Sequence, residues 1–161
     1  MKHELIILQG IQGSGKTTWA KNWVKEDPKH RVRFNQDDIR NMFGVYWVTS
    51  REPLVKELHN SFLNKAMLEG YDIVLDNMNL NQKTLDEIKE IVEEFNKWIS
   101  LSPVDLHYDI KYQTFFDTPL EECIARDSKR ENPIGENVIR NTYNKYKDII
   151  ETNMFNSINN N

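Results

Sequence analysis

The tightest constraint on this chain lies in residues 10–17, Gly-Ile-Gln-Gly-Ser-Gly-Lys-Thr, which follow the apolar run Leu5-Ile6-Ile7-Leu8 almost directly. Gly10, Gly15, Lys16 and Thr17 meet the spacing G-x-x-x-x-G-K-[ST]. At an average Gly usage of about 7%, four such positions arise by chance well under ~1% of the time in a chain of this length. Each residue type answers a physical need. Gly10, Gly13 and Gly15 permit positive φ and let backbone N–H groups face an anion. A helix beginning at the loop adds the positive end of its dipole. Lys16 supplies charge for β- and γ-phosphates, and Thr17 a hydroxyl for Mg²⁺. With Ser14 and Thr18 beside them, these residues read as a P-loop for ATP or another nucleoside triphosphate with Mg²⁺. The bland alternative is a glycine turn between strand and helix.

Around the loop, strand-like and helix-like segments alternate. Leu5–Gln9, Arg31–Asn35, Ile73–Leu75 and Ile110–Phe116 read as strands. Helices are expected over Lys16–Glu26, from Asp37 or Asp38 as cap towards Phe43, and over Glu52–Glu69 and Leu85–Trp98. Two more are expected from about Pro119 to Lys129 and from Glu136 to about Glu151. Ser100–His107 reads as loop. The pattern predicts an α/β fold, a parallel sheet of about four to five strands with helices on both faces. At 161 residues the chain suits one domain, expected over residues 1–152, with residues 153–161 a frayed tail ending in Asn-Asn-Asn. Ligands in such sheets bind beyond the carboxyl ends of the strands, so the glycine loop, Asn35–Asp38 and Asp76–Asn79 should share one rim.

Three further clusters carry chemistry. Asp37, with Arg40 one helical turn on, offers a carboxylate to accept a hydroxyl proton and a cation to hold a substrate anion. The same pair also fits a helix N-cap with an i,i+3 ion pair. Arg126 and Arg130, four apart on an expected helix, can lean together towards a γ-phosphoryl group, or form a solvated basic face. Asp76, ending an apolar strand, can orient Mg²⁺ through water or cap the next turn. The run Phe43, Val45, Tyr46, Trp47, Val48 reads first as core packing, with a stacking wall for a base as the alternative. His3, His30, His59 and His107 have no metal-ligand spacing, and no chemistry is assigned to them.

A net charge of −4 argues against sequence-blind coating of nucleic acid, but not against gripping a few phosphates at one end. The single cysteine, Cys123, forms no internal disulfide. No apolar run approaches the roughly 20 residues of a bilayer span, and the first strand leads straight into the glycine loop. No membrane partner and a cytoplasmic setting are therefore expected.

Taken in order, Gly13-Ser14-Gly15-Lys16-Thr17-Thr18-Trp19-Ala20, Asn35-Gln36-Asp37-Asp38-Ile39-Arg40, Asn79-Leu80-Asn81 and Arg126-Asp127-Ser128-Lys129-Arg130 resemble the 5′-hydroxyl polynucleotide kinase domain of phage end-healing enzymes. The resemblance spans most of the chain. It implies a P-loop kinase fold with an arginine-bearing lid, and transfer of the ATP γ-phosphate to 5′-OH ends of DNA or RNA. It implies Asp37 as general base, Arg40 on the phosphate 3′ to the reacting nucleotide, Lys16 and Thr17 on ATP and Mg²⁺, and Arg126 and Arg130 as lid arginines. Gln36 and Asn132 stand where the family flanks the terminal base with an arginine and an apolar residue. Met78 replaces a threonine. The family's C-terminal phosphatase has no counterpart here, so 3′-phosphatase activity is not expected; functional coupling to a ligase or a separate 3′-phosphatase suits end repair. Rival readings are a P-loop kinase of a nucleoside, sugar or antibiotic hydroxyl, and a low-turnover nucleotide-binding adaptor.

Overall fold

The computed structural model describes residues 1–158. Its centre is a four-stranded sheet of β1 (Lys2–Gln9), β2 (Arg31–Phe34), β3 (Asp72–Leu75) and β4 (His107–Thr114), in spatial order β2-β3-β1-β4. All three pairings are parallel, with Ile7 opposite Leu75, Phe34 opposite Leu75, and Gln9 opposite Thr114. Parallel neighbours need crossovers, and helices supply them. Every strand therefore ends on the same rim, and the sheet has the number of strands and the pairing the alternation predicted.

Alternate residues of the central strands face opposite ways. Leu5, Ile7, Ile73 and Leu75 pack under α3 (Glu52–Leu68) and α4 (Gln82–Ile99), against Leu63, Met67, Val92 and Phe95. Ile6, Leu8 and Val74 turn the other way, towards Ala20 and Trp23 of α1 (Lys16–Glu26). A third cluster lies on the rim. Ile11 of the glycine loop, Leu80 and Phe116 meet Cys123 of α5 (Leu120–Asp127), Ile139 of α6 (Glu136–Lys145) and Ile150 of α7 (Lys147–Ile158).

Several expectations change. The short helix α2 (Gln36–Met42) is capped by Asn35, whose side chain accepts from the Asp38 N–H at 3.0 Å, rather than by Asp37 or Asp38. Asn81 likewise caps α4 through the Thr84 N–H, so that helix starts three residues before Leu85. The single helix expected from Glu136 breaks at Tyr146, where φ −110° and ψ 15° leave the helical region. β4 begins at His107 because it pairs with the whole of β1 as an edge strand, which leaves five of its eight residues exposed and hides its pattern. Most of the aromatic run is not core: Val45, Tyr46 and Trp47 are 60, 45 and 57% exposed. α7 runs to Ile158, across the first six residues of the expected tail; residues 159–161 lie outside the described residues.

Candidate functional site

Gly13 and Gly15 adopt φ of +78° and +104°, and the Gly15 position caps α1 with no side-chain acceptor. The first N–H groups of α1 are thereby left for a bound anion. Gly13 is sterically obligatory, since a Cβ there would sit 2.3 Å from the Cys123 carbonyl oxygen. The loop is thus clamped against α5, and the Thr118 hydroxyl donates to the Ser14 carbonyl at 3.0 Å.

Lys16 is 8% exposed, and its ammonium donates to the carbonyls of Gly10 and Ile11 at 2.8 and 2.7 Å. Burial lowers its pKa from 10.5 to about 8, against the opposing pull of Asp76 and Asp37 and with Arg130 adding to the fall. Three residues singled out from the sequence therefore lie close enough to act on the loop lysine through space.

Asn79 ties this rim together. It is the one non-glycine residue with positive φ (49°) among the described residues, a conformation asparagine tolerates. Its side-chain amide donates to the carbonyls of Leu8 and Leu75 at 2.7 and 3.1 Å, joining the ends of β1 and β3. The Gly10 N–H donates to the Met78 carbonyl at 3.2 Å, so Met78 contributes its backbone here while its side chain packs on the third cluster.

Asp76 is 1% exposed. Its Oδ2 accepts from Arg33 Nε at 2.7 Å, and its Oδ1 is buried without a partner. That orphaned oxygen suits Mg²⁺, which keeps waters and phosphate oxygens and needs few protein ligands. No group of three or more His, Cys, Asp or Glu side chains offers a fuller metal cage among the described residues.

Asp37 and Arg40 meet at 2.6 Å, so the i,i+3 ion pair is real. Arg40 is also gripped by Glu52 through Nε (2.9 Å) and Nη2 (2.7 Å), which hold its pKa above the ordinary value together with Asp37. The Tyr46 hydroxyl donates to Asp37 Oδ1 at 2.8 Å. Burial first, then Asp37, pushes the Tyr46 pKa up to about 12, so the phenol stays protonated. The Gln36 N–H donates to Asn77 Oδ1 at 2.9 Å, and Asn77 Nδ2 meets His59 Nε2 at 3.1 Å. His59 is buried and its pKa is lowered by that burial, leaving a neutral ring to accept from the amide. A cleft of about 540 Å³ opens beside this chain of contacts, lined by Gln36, Glu52, Lys56, His59, Asn77 and Asn81 among others.

Arg126 reaches the loop, its Nη1 donating to the Gly13 carbonyl at 3.4 Å while Glu122 holds its other end. Arg130 is not on the same helix, because α5 ends at Asp127; it sits in the following turn, 3.7 Å from Asp127. The Asp127 carboxylate accepts from the N–H groups of Ile134 and Gly135 at 3.1 and 2.9 Å. Asn132 lies exposed in this loop, away from Gln36 in sequence and without a side-chain hydrogen bond among the described residues. Sequence reading missed Arg33 and Glu52, named Tyr46 only within the aromatic run, gave His59 no chemistry and quoted Asp127 only within the arginine motif, because each acts through a contact that has no spacing of its own.

The chain matches the AAA_33 family model, described as an AAA domain, over residues 5–152. It is 26% identical, over 161 residues, to a protein of Autographa californica nuclear polyhedrosis virus named for bifunctional polynucleotide kinase/RNA ligase activity. That match covers 89% of this chain and 21% of the viral protein. Among solved structures it is similar to a chain of the Pnkp1/Rnl/Hen1 RNA repair complex, with TM-score 0.74 and 22% identity over 93% of this chain and 46% of that one. A chain of another Pnkp1/Rnl/Hen1 complex structure gives TM-score 0.64 and 24% identity over 77% of this chain and 38% of that one. The two structures share the fold. The chain spans about a fifth of the viral relative and less than half of each structural one.

Proposed function

The chain belongs to the AAA domain family, and from that premise we propose that it is an ATP-dependent polynucleotide 5′-hydroxyl kinase domain. The observation that carries this reading is the Asp37–Arg40 pair at the sheet's carboxyl rim, with Asp37 near enough to act on the charge of the phosphate-loop lysine. A binder with no turnover needs the lysine but not the pair. The names of the viral relative and of the RNA repair complex favour a polynucleotide as the acceptor.

In this mechanism the loop N–H groups and Lys16 hold the β- and γ-phosphates of the donor. Thr17 and Asp76 would hold Mg²⁺, and the ion would supply positive charge against the phosphates. Asp37 accepts the proton of the 5′-hydroxyl as that oxygen bonds to the γ-phosphorus and the bond to the β–γ bridging oxygen breaks, releasing ADP. Arg40, kept in place by Glu52, fixes the acceptor through its next phosphate. Arg126 and Arg130 balance charge spreading over the transferred group. Gln36 and Asn132 present amides to the terminal base. A cytoplasmic setting and a ligase or separate 3′-phosphatase acting on the same ends complete the reading.

The test is incubation with γ-labelled ATP, Mg²⁺ and 5′-OH oligonucleotides of DNA and of RNA. Label on the 5′ end of either polymer is expected. ATP binding with no label on either overturns the proposal, and label on a free nucleoside or sugar alone assigns a small-molecule acceptor instead.

A further inference from the structure

The aromatic turn after α2 is folded against the two residues that the proposed reaction needs, yet shows its rings to solvent. Gly44, at φ +86°, turns the chain away from α2 with open space around it. Arg51 secures the base of the turn, donating to the Phe43 carbonyl at 3.1 Å and lying 6.0 Å over the Phe43 ring. Beyond it, Tyr46 and Trp47 are 45 and 57% exposed. Rings left about half in water contribute less to folding than core rings do, so packing alone does not explain their presence.

Their attachment is specific. The Trp47 indole lies over the Arg40 guanidinium, 5.2 Å from ring centroid to Cζ, so it contacts the cation while much of the ring stays in solvent. The Tyr46 hydroxyl donates to Asp37 Oδ1 at 2.8 Å. A hydroxyl borne on this turn thus already occupies the kind of bond that an acceptor alcohol would make to Asp37. A π-surface, a guanidinium and a carboxylate stand together, in the combination that one terminal nucleotide presents in complement: base, phosphate and hydroxyl.

Resting on the kinase reading above, we propose that Trp47, with Tyr46 beside it, forms the wall on which the 5′-terminal base of an unpaired strand stacks. A net charge of −4 leaves little basic surface for a duplex backbone, whereas stacking plus a few phosphate contacts is how single strands are held. Stacking on an indole tolerates any base, because every base has a π-face. The incoming hydroxyl displaces Tyr46 from Asp37, and the open space at Gly44 lets the turn yield.

The experiment compares KM for a 5′-OH single strand with that for the same strand carrying an abasic 5′-terminal residue, in the parent protein and in Trp47→Ala and Trp47→Phe. In the parent, the abasic strand should have a KM raised about tenfold. Trp47→Ala should raise KM for the normal strand by a similar factor and erase the difference between strands, and Trp47→Phe should restore much of it. The thermal midpoint checks that each variant folds. Equal KM for the two strands in the parent, or a Trp47→Ala loss that is the same for both, overturns the wall while leaving the kinase reading intact. Absence of label transfer by the parent overturns the kinase reading itself.

Discussion

Asp37 Oδ1 takes two donors, Arg40 Nη1 and the Tyr46 hydroxyl. A carboxylate oxygen so placed can exchange one hydroxyl donor for another. Asp37→Asn keeps the shape and removes the basicity, so turnover should fall by about 10²–10⁴-fold with ATP binding unchanged, measured by label transfer and by calorimetric titration. Lys16 gives a second prediction. Burial holds its pKa near 8 in the free protein, and phosphate anions favour the charged form. Above pH 8 the free lysine is increasingly neutral, so ATP binding should take up a proton and weaken as pH rises. Calorimetry at pH 8.5 in two buffers of different ionisation heat should detect that uptake, and at pH 6.5 it should vanish. The sign for stability is the reverse of an ion pair's: because the folded pKa lies below the unfolded one, stability rises as pH climbs from about 8 towards 10.5.

At the scale of elements, the legible parts were those with local causes. The glycine loop, the buried run of β1 and the Lys16–Glu26 helix follow from residues adjacent in sequence, and the structure reproduces that helix to the residue. Asn35 was misread because the run Asn35-Gln36-Asp37-Asp38 offers three capping side chains, and only the contact of Asn35 with the end of β3 decides between them. Arg130 was placed on a helix because nothing local ends α5; what ends it is Asp127 turning to collect the N–H groups of Ile134 and Gly135. Tyr46 and Trp47 read first as core, with a stacking wall as the alternative, because hydrophobicity alone cannot see that their neighbours are Asp37 and Arg40. The clamp of the loop on α5 makes its own prediction. Gly13→Ala combines a positive φ with a collision against the Cys123 carbonyl, and should destabilise by at least about 1 kcal/mol. A fall of a few degrees in the thermal midpoint, with weakened ATP binding, would register it.

For the whole molecule, the third hydrophobic cluster joins the glycine loop to α5, α6 and α7. Ile139 is fully buried where α6 meets Ile11 of the glycine loop, Leu80 and Phe116. Ile139→Ala should cost about 2–5 kcal/mol, seen in denaturant unfolding. Because the cluster seats α5, it should also raise KM for ATP more than KM for the polynucleotide. No helix among the described residues is long and apolar enough to cross a membrane. The Asp127 carboxylate has a consequence in time rather than in space. By collecting the N–H groups of Ile134 and Gly135, it closes residues 127–135 into a ring anchored on the packed end of α5. Arg130 lies within that ring. Loop motions run on nanosecond to microsecond clocks and domain swings on microsecond to millisecond ones. On the kinase reading proposed above, release of spent nucleotide past Arg130 would then need a loop motion rather than a domain swing.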